Sequence, residues 1–247
     1  LDNLDVQAGN AVPAVVEAPW KVGWRAAKAN LVPGLGLQAL MLVLLVSYYG
    51  CAGFRDSLAE LAALRERWGI LFSVVIAVFS GAFFSEAIKI IFFQKGHLLP
   101  CNRENLLYLT PFWVVNGAMV HTMYGWQVAW FGNGMDALTL MKKVAFDQGV
   151  FNPCIAAPFA CWIFEYQRRK KIAASVAEIF SCGYYARRVF PLLIATWGVW
   201  IPVVTVIYSL PLPLQMPVCG VATCFWSLML TFIGHDRGGD SQQKDGI

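Results

Sequence analysis

Two ionisable residues stand inside an otherwise apolar run. Glu86 and Lys89 interrupt residues 68–93, and their spacing of three puts them one helical turn apart, where a carboxylate and an ammonium can neutralise each other. Ionisable groups at membrane depth are candidates for function by default, so the pair has two readings: local pairing near an interface, or lining of a polar path. A second polar series, Asn116, His121, Tyr124 and Gln127, lies in the charge-free stretch 105–131. His121 and Tyr124 can serve as an interhelical hydrogen-bonding pair, or as a proton-sensitive path lining. Asp147 and Gln148 open a further apolar segment; a carboxylate there can cap exposed amides at a helix start or contribute to the same path.

Other chemistry has less support. His97, His121 and His235 are scattered, no HExxH, P-loop or GxGxxG pattern occurs, and no CxxC pair is present. Cys154 and Cys161 sit two helical turns apart in an apolar segment, as small hydrophobes do. No catalytic role, metal or cofactor is expected.

The elements that must hold these residues follow from composition. Of 247 residues, 58% are hydrophobic and 14% charged, against about 25% charged in ordinary soluble domains. The uncharged residues are grouped into long blocks, and about twenty residues of helix cross the hydrocarbon of a bilayer. Blocks at 30–54, 68–93, 105–131 and 148–164 give four candidate spans. The charge-free run 189–234 gives two more, divided around Pro211, Pro213 and Pro217. The expected fold is therefore all-α: a polytopic transmembrane bundle of six spans with amphipathic connecting helices. Residues 1–29 form a polar N-terminal segment, 30–234 the membrane domain and 235–247 a polar tail.

The connectors carry their own patterns. In residues 51–68, Phe54, Leu58 and Leu61 recur at helical spacing opposite charged residues, which predicts an interfacial or solvent-facing helix. Met135, Leu138 and Met141 share a side before the fourth span, and Ile172, Val176 and Phe180 share one after it. Pro111 is expected in the first turns of span three, Pro153 and Pro158 kink span four, and Pro202 bends span five.

Six crossings place both termini on one side. That side then carries Lys21, Arg25, Lys28, Lys95, Arg103, Arg168, Arg169, Lys170, Lys171, Arg187, Arg188, Arg237 and Lys244, leaving Arg55, Arg65, Arg67, Lys142 and Lys143 opposite. The positive-inside rule assigns the richer side to the matrix or cytosol. The clusters Arg168 to Lys171 and Arg187 to Arg188 flank apolar blocks, which points to anionic lipid headgroups such as cardiolipin rather than nucleic acid. Trp20, Trp24, Trp68, Trp126, Trp130 and Trp162 fall near the ends of the spans, at headgroup depth.

Residues 117–154 resemble the twenty-two kilodalton peroxisomal membrane protein family, the Mpv-seventeen-like proteins. The matching positions are Gly117, His121, Tyr124, Lys143, Asp147, Gln148 and Pro153, with DQGVFNPC the most specific piece. Further on, Pro202, Pro213, Trp226 and Thr231 fit the family's C-terminal signature. Thr205, Tyr208 and Pro217 stand where the family has glutamine, asparagine and arginine, and Ala118, Met123 and Ile201 replace other signature residues. The resemblance implies a small-solute or ion pore in a mitochondrial inner membrane or peroxisome; the polar residues within the apolar blocks, Glu86, Lys89, Asn116, His121, Tyr124 and Gln127, are the candidates for its path. The departures imply an alternative: a non-catalytic accessory subunit of a large mitochondrial inner-membrane complex. A leucine at position 1 suits a processed organellar chain, with peroxisomal, plastid and bacterial membranes as alternative residences.

Overall fold

A computed structural model describes residues 18–169, 178 and 181–227. Among them the chain is helical throughout, with no strand. Lys170, Lys171, Ile172, Val176, Phe180 and the tail 235–247 lie outside the described residues, as do the side chains of Arg168 and Arg169.

Eight helices follow one another among the described residues. Helix α1 is Pro19–Ala29, α2 Leu31–Gly50 and α3 Ala52–Trp68. Helix α4 is Ile70–Phe93, with wide π turns at Phe79–Phe83 and Lys89–Phe93. Helix α5 is Pro100–Phe131. Helix α6 runs as Ala137–Phe146, passes through π turns at Asp147–Ala156 and continues as Ala157–Arg169. Helix α7 is Cys182–Tyr208, and α8 covers 212–227.

Several expected boundaries move. The loop expected at 94–104 shortens, because Pro100 starts α5 at a first-turn position where its missing N–H costs nothing. Pro111 consequently lies in the helix interior rather than in its first turns. The connector before the fourth span and the span itself are one helix, and Pro153 sits within wide π turns. Such turns shift the hydrogen-bond register by one residue, so a proline that cannot donate is absorbed without ending the helix. Pro213 and Pro217 lie inside α8, so the break between the last two helices falls at Ser209–Pro211.

The expectation of six spans is not met by length and apolarity. Two helices, Ile70–Phe93 and Cys182–Tyr208, are long and apolar enough to cross a membrane. A third candidate arises if Pro19–Ala29 and Gly34–Gly50, bent by 58°, count as one broken span. In α5 and α6 the polar residues that prompted functional interest, together with Lys142, Lys143 and Asp147, dilute the apolar stretch.

Side-chain contacts fix how neighbours run. Helices α4 and α5 are antiparallel: Ser73 Oγ meets His121 Nδ1 at 2.9 Å, and further along Asn102 Nδ2 donates to Glu86 Oε2 at 2.9 Å. Helices α5 and α6 are antiparallel through Gln127 Nε2 to Lys143 O (3.1 Å) at one end and the Tyr108–Tyr166 ring pair (6.0 Å) at the other. Helices α6 and α7 repeat the pattern, with Tyr208 on Asp147 and Tyr184 donating to Cys161 O at 3.3 Å. By contrast, α1 and α2 run parallel to α7, since Gly23 abuts Pro191 and Ile194, Gly34 abuts Val199, and Tyr49 donates to Ser209 O at 2.6 Å.

This alternation sorts the charges. Lys21, Arg25, Lys28, Lys95, Arg103, Arg187 and Arg188 gather at one end of the bundle, and Arg55, Arg65, Arg67, Lys142 and Lys143 at the other. The tryptophans follow: Trp20 and Trp24 are exposed at the first end, Trp68, Trp126 and Trp130 at the second. Tryptophans of membrane proteins gather at the two ends of their apolar spans in this way.

The main core lies between α2, α5, α7 and α8, built on Leu37, Met41, Met123, Val203, Ile207 and Ala222. Helix α3 buries no residue of its own, yet Leu58 and Ala62 pack against this core, so the helix lies on the bundle rather than facing solvent only. Asp136 caps α6, its Oδ1 accepting from Thr139 N at 3.1 Å. The Thr139 side chain and amide hold this exposed carboxyl below its ordinary value of 3.8. Because the folded-state value is the lower one, the cap's contribution is present above pH 3.8 and is lost as pH falls through that lower value. The Thr139 amide resonance is expected to titrate below the range of a free aspartate, and to stop titrating in Asp136→Asn.

Candidate functional site

The polar residues within the helices assemble into two clusters at opposite ends, with a smaller contact between them. The first is centred on Glu86. On α4 its carboxylate is 1% exposed, so it must be satisfied by protein. Lys89, one turn later, donates to Oε1. Asn102 Nδ2 donates to Oε2 at 2.9 Å, and Asn105 Nδ2 reaches Oε1 at 3.3 Å. Asn102 is itself fully buried, and its Oδ1 accepts from Leu99 N at 2.8 Å, closing the start of α5. One carboxylate thus joins two helices and fixes a helix start, while the Lys89 side chain keeps 35% exposure.

The second cluster is centred on Asp147 and Tyr208. Both are buried, and Tyr208 OH donates to Asp147 Oδ2 at 2.6 Å. Gln127 of α5, 1% exposed, donates through Nε2 to Tyr208 OH at 3.2 Å and to Lys143 O at 3.1 Å. Tyr124 packs edge-on against the Tyr208 ring at 5.7 Å. On the same helix as Asp147, Gln148 accepts from Asn152 Nδ2 at 3.2 Å through its side chain and from Trp197 Nε1 at 3.1 Å through its carbonyl. Three helices, α5, α6 and α7, are therefore tied at one buried point. Beside it, Lys143 is buried.

The wide turns at Asp147–Ala156 have a role here. Pro153 has no N–H to donate in any register; in the π register the carbonyl left without it is Gln148 O, five residues back, and Trp197 Nε1 supplies the donor. Asp147 and Gln148 stand at the head of that segment, both buried towards α5 and α7.

His121 belongs to neither cluster and contacts Ser73 on α4. Asn116 is half-buried on α5. Of the family-motif positions, Gly117 packs against Ser73, Val74 and Ala77, and Trp226 lies against Trp200 with ring centroids 6.2 Å apart. Pro202 lies inside α7 and Pro213 in the first turn of α8. Arg187 turns back to its own helix, its Nε donating to Gly183 O at 3.0 Å. Gln127, Tyr124, Lys143, Asp147 and Gln148 are thus brought together, and Glu86 with Lys89 stands apart from them.

Sequence reasoning missed Tyr208, Asn102, Asn105 and Ser73 as members. For Tyr208 a signal existed: its hydroxyl stands inside a charge-free run. A phenol there keeps one donor for a buried acceptor. Tyr208→Phe removes the donor from a buried carboxylate, and a hydrogen bond to a charged group contributes about 2 kcal/mol. We expect lower thermal stability in detergent, and a double-mutant cycle with Asp147→Ala in which the second substitution adds little.

No family model matches the chain, and neither a curated protein nor a solved structure is found that resembles it.

Proposed function

We propose that this protein is a non-catalytic structural subunit of a multi-subunit membrane assembly, with α2, α4, α5, α6, α7 and α8 as its membrane helices. The observation that carries the reading is the use made of the polar side chains. Glu86, Lys89, Gln127 and His121 each bond a neighbouring side chain or main chain of the bundle, at separate places along it. A conducting path asks instead for groups that face a shared aqueous lumen and exchange bonds with a passing ion or solute.

The outside of the bundle supports the same reading. Leu31, Val32, Leu35, Leu42, Val43 and Val46 leave α2 with a long exposed apolar face, available to lipid and to partner helices alike. The basic end, with Lys21, Lys28 and Arg187, suits a membrane rich in anionic lipid, for which the mitochondrial inner membrane with its cardiolipin is the proposed residence. Small side chains and backbone at helix contacts, as at Gly117 and Gly34, make close packing the dominant design of this chain.

Gentle extraction followed by native electrophoresis and mass spectrometry tests the proposal. We expect the 27.4 kDa chain to migrate with several different subunits in a much larger particle. Recovery as a lone monomer or homo-oligomer overturns it. In planar bilayers the purified chain is expected to give no conductance; a current altered by Glu86→Gln or His121→Ala restores the pore reading.

A further inference from the structure

Helix α3 leans on the bundle through one face and encloses a space there. Leu58 and Leu61 close one side of a cavity of about 230 Å³, with Leu44 and Tyr48 of α2, Ile76 of α4 and Val221 of α8 among its other walls. Among the described residues its lining carries no charged side chain. An apolar cavity of about 150 Å³ in another protein stays dry and takes a benzene-sized ligand, so this one has room for a run of hydrocarbon. It has no room for a helix, whose diameter with side chains is about 10–12 Å.

A cation stands next along the α3 stripe of Phe54, Leu58 and Leu61, with the Glu66 carboxylate as a neighbouring opposite charge. Arg65 follows Leu61 by one helical turn on α3, so the two share a face. Its Nε is buried with no hydrogen-bond partner. Guanidinium stays protonated at any working pH, and its planar donors match phosphate geometry. Trp68, three residues further on, is exposed at the same end of the bundle as Trp126 and Trp130, which places Arg65 at headgroup depth.

We propose that this cavity and Arg65 form a binding site for one anionic phospholipid, an acyl chain entering between α3 and the core and the headgroup phosphate meeting the guanidinium. An apolar slot with a cation at its headgroup end is complementary to that ligand at both ends. The inference stands on the membrane location of the bundle and does not depend on the subunit reading above.

The full chain, reconstituted in nanodiscs of equal phosphatidylglycerol and phosphatidylcholine and then released for native mass spectrometry, tests it. One phosphatidylglycerol is expected to stay with each chain in preference to phosphatidylcholine. Arg65→Gln is expected to reduce the retained fraction about tenfold, the loss of one charge-assisted contact. Arg67→Gln, on an exposed position of the same helix, is expected to retain it. Leu61→Trp fills the cavity and is expected to abolish retention; should that variant fail to fold, Val221→Phe makes the same test from the opposite wall. Equal retention of both lipids, no retained lipid, or retention unchanged in Arg65→Gln or in the folded cavity-filling variant overturns the proposal.

Discussion

Gly81→Ala is expected to destabilise the protein by about 3 kcal/mol, the upper end of the cost of overpacking a well-packed core. Gly81 lies in the π turns of α4, fully within the α4–α5 contact, and a methyl group there would fall inside the Trp113 indole. An indole packed edge-on against Phe112 cannot swing aside as the tip of a flexible side chain can. Helix α5 would have to move outward, and the same seam holds Gly117, where an added Cβ would stand 2.8 Å from Ala77 Cβ and 3.0 Å from Val74 Cα. Movement therefore propagates along the seam and loosens the Glu86 cluster and the Ser73–His121 contact as well. Gly125, also on α5, has open space beside it and supplies the control: Gly125→Ala is expected to leave stability nearly unchanged or to raise it slightly. Thermal unfolding in one detergent, followed by tryptophan fluorescence, compares the two variants with wild type; equal midpoints for Gly81→Ala and wild type would show that α4 and α5 are not packed through this seam.

Lys89→Met is the second large effect, and its comparison with Glu86→Gln carries the information. The two residues form an ion pair of unequal exposure, 2% for the Glu86 side chain and 35% for Lys89. Removing the ammonium leaves a buried carboxylate held only by the Asn102 and Asn105 amides, and breaking a buried pair on one side costs about 3 kcal/mol or more. Removing the carboxylate charge instead leaves an ammonium on a flexible stem that can reach headgroups and water. Glutamine keeps an acceptor for the asparagines. Lys89→Met is therefore expected to lower the unfolding midpoint markedly more than Glu86→Gln, and the reverse order would mean that Glu86 does not rely on Lys89. A path-lining role predicts something different again: both variants would retain stability and change permeation.

Much of this organisation was legible in order of residues alone. A polar group inside an apolar block announces that it needs a partner, so Glu86, His121, Gln127 and Asp147 stood out without any coordinates. The pair Glu86–Lys89 follows from a spacing of three, since both partners lie on one turn of one helix. Helix α3 and its apolar face of Phe54, Leu58 and Leu61 follow from periodicity. So does the sorting of basic residues into two groups, which the alternating directions of the helices reproduce at the two ends of the bundle.

The limits of that legibility are equally local. Asn102 falls in the polar stretch 94–104, which reads as a loop, although Pro100 at the first turn of a helix starts α5 there. The fourth span and its connector looked separate because prolines at 153 and 158 read as kinks, while a π register lets one helix continue through them. Span number depends on mean apolarity as well as on freedom from charge, and the uncharged polar residues of α5 and α6 lower the first without touching the second.

What composition and spacing determined by themselves is a helical chain for an apolar surrounding, with its polar exceptions and its amphipathic α3 in place. What only the tertiary structure decided is which exceptions meet: Tyr208 with Asp147 and Gln127, Asn102 with Glu86, Gly81 with Trp113, and an open space beneath Leu58 and Leu61. The reason is one of range. Helical periodicity relates residues within a turn or two of each other, whereas Tyr208 and Asp147 are brought within 2.6 Å by the antiparallel packing of α6 and α7 across a separation of 61 positions.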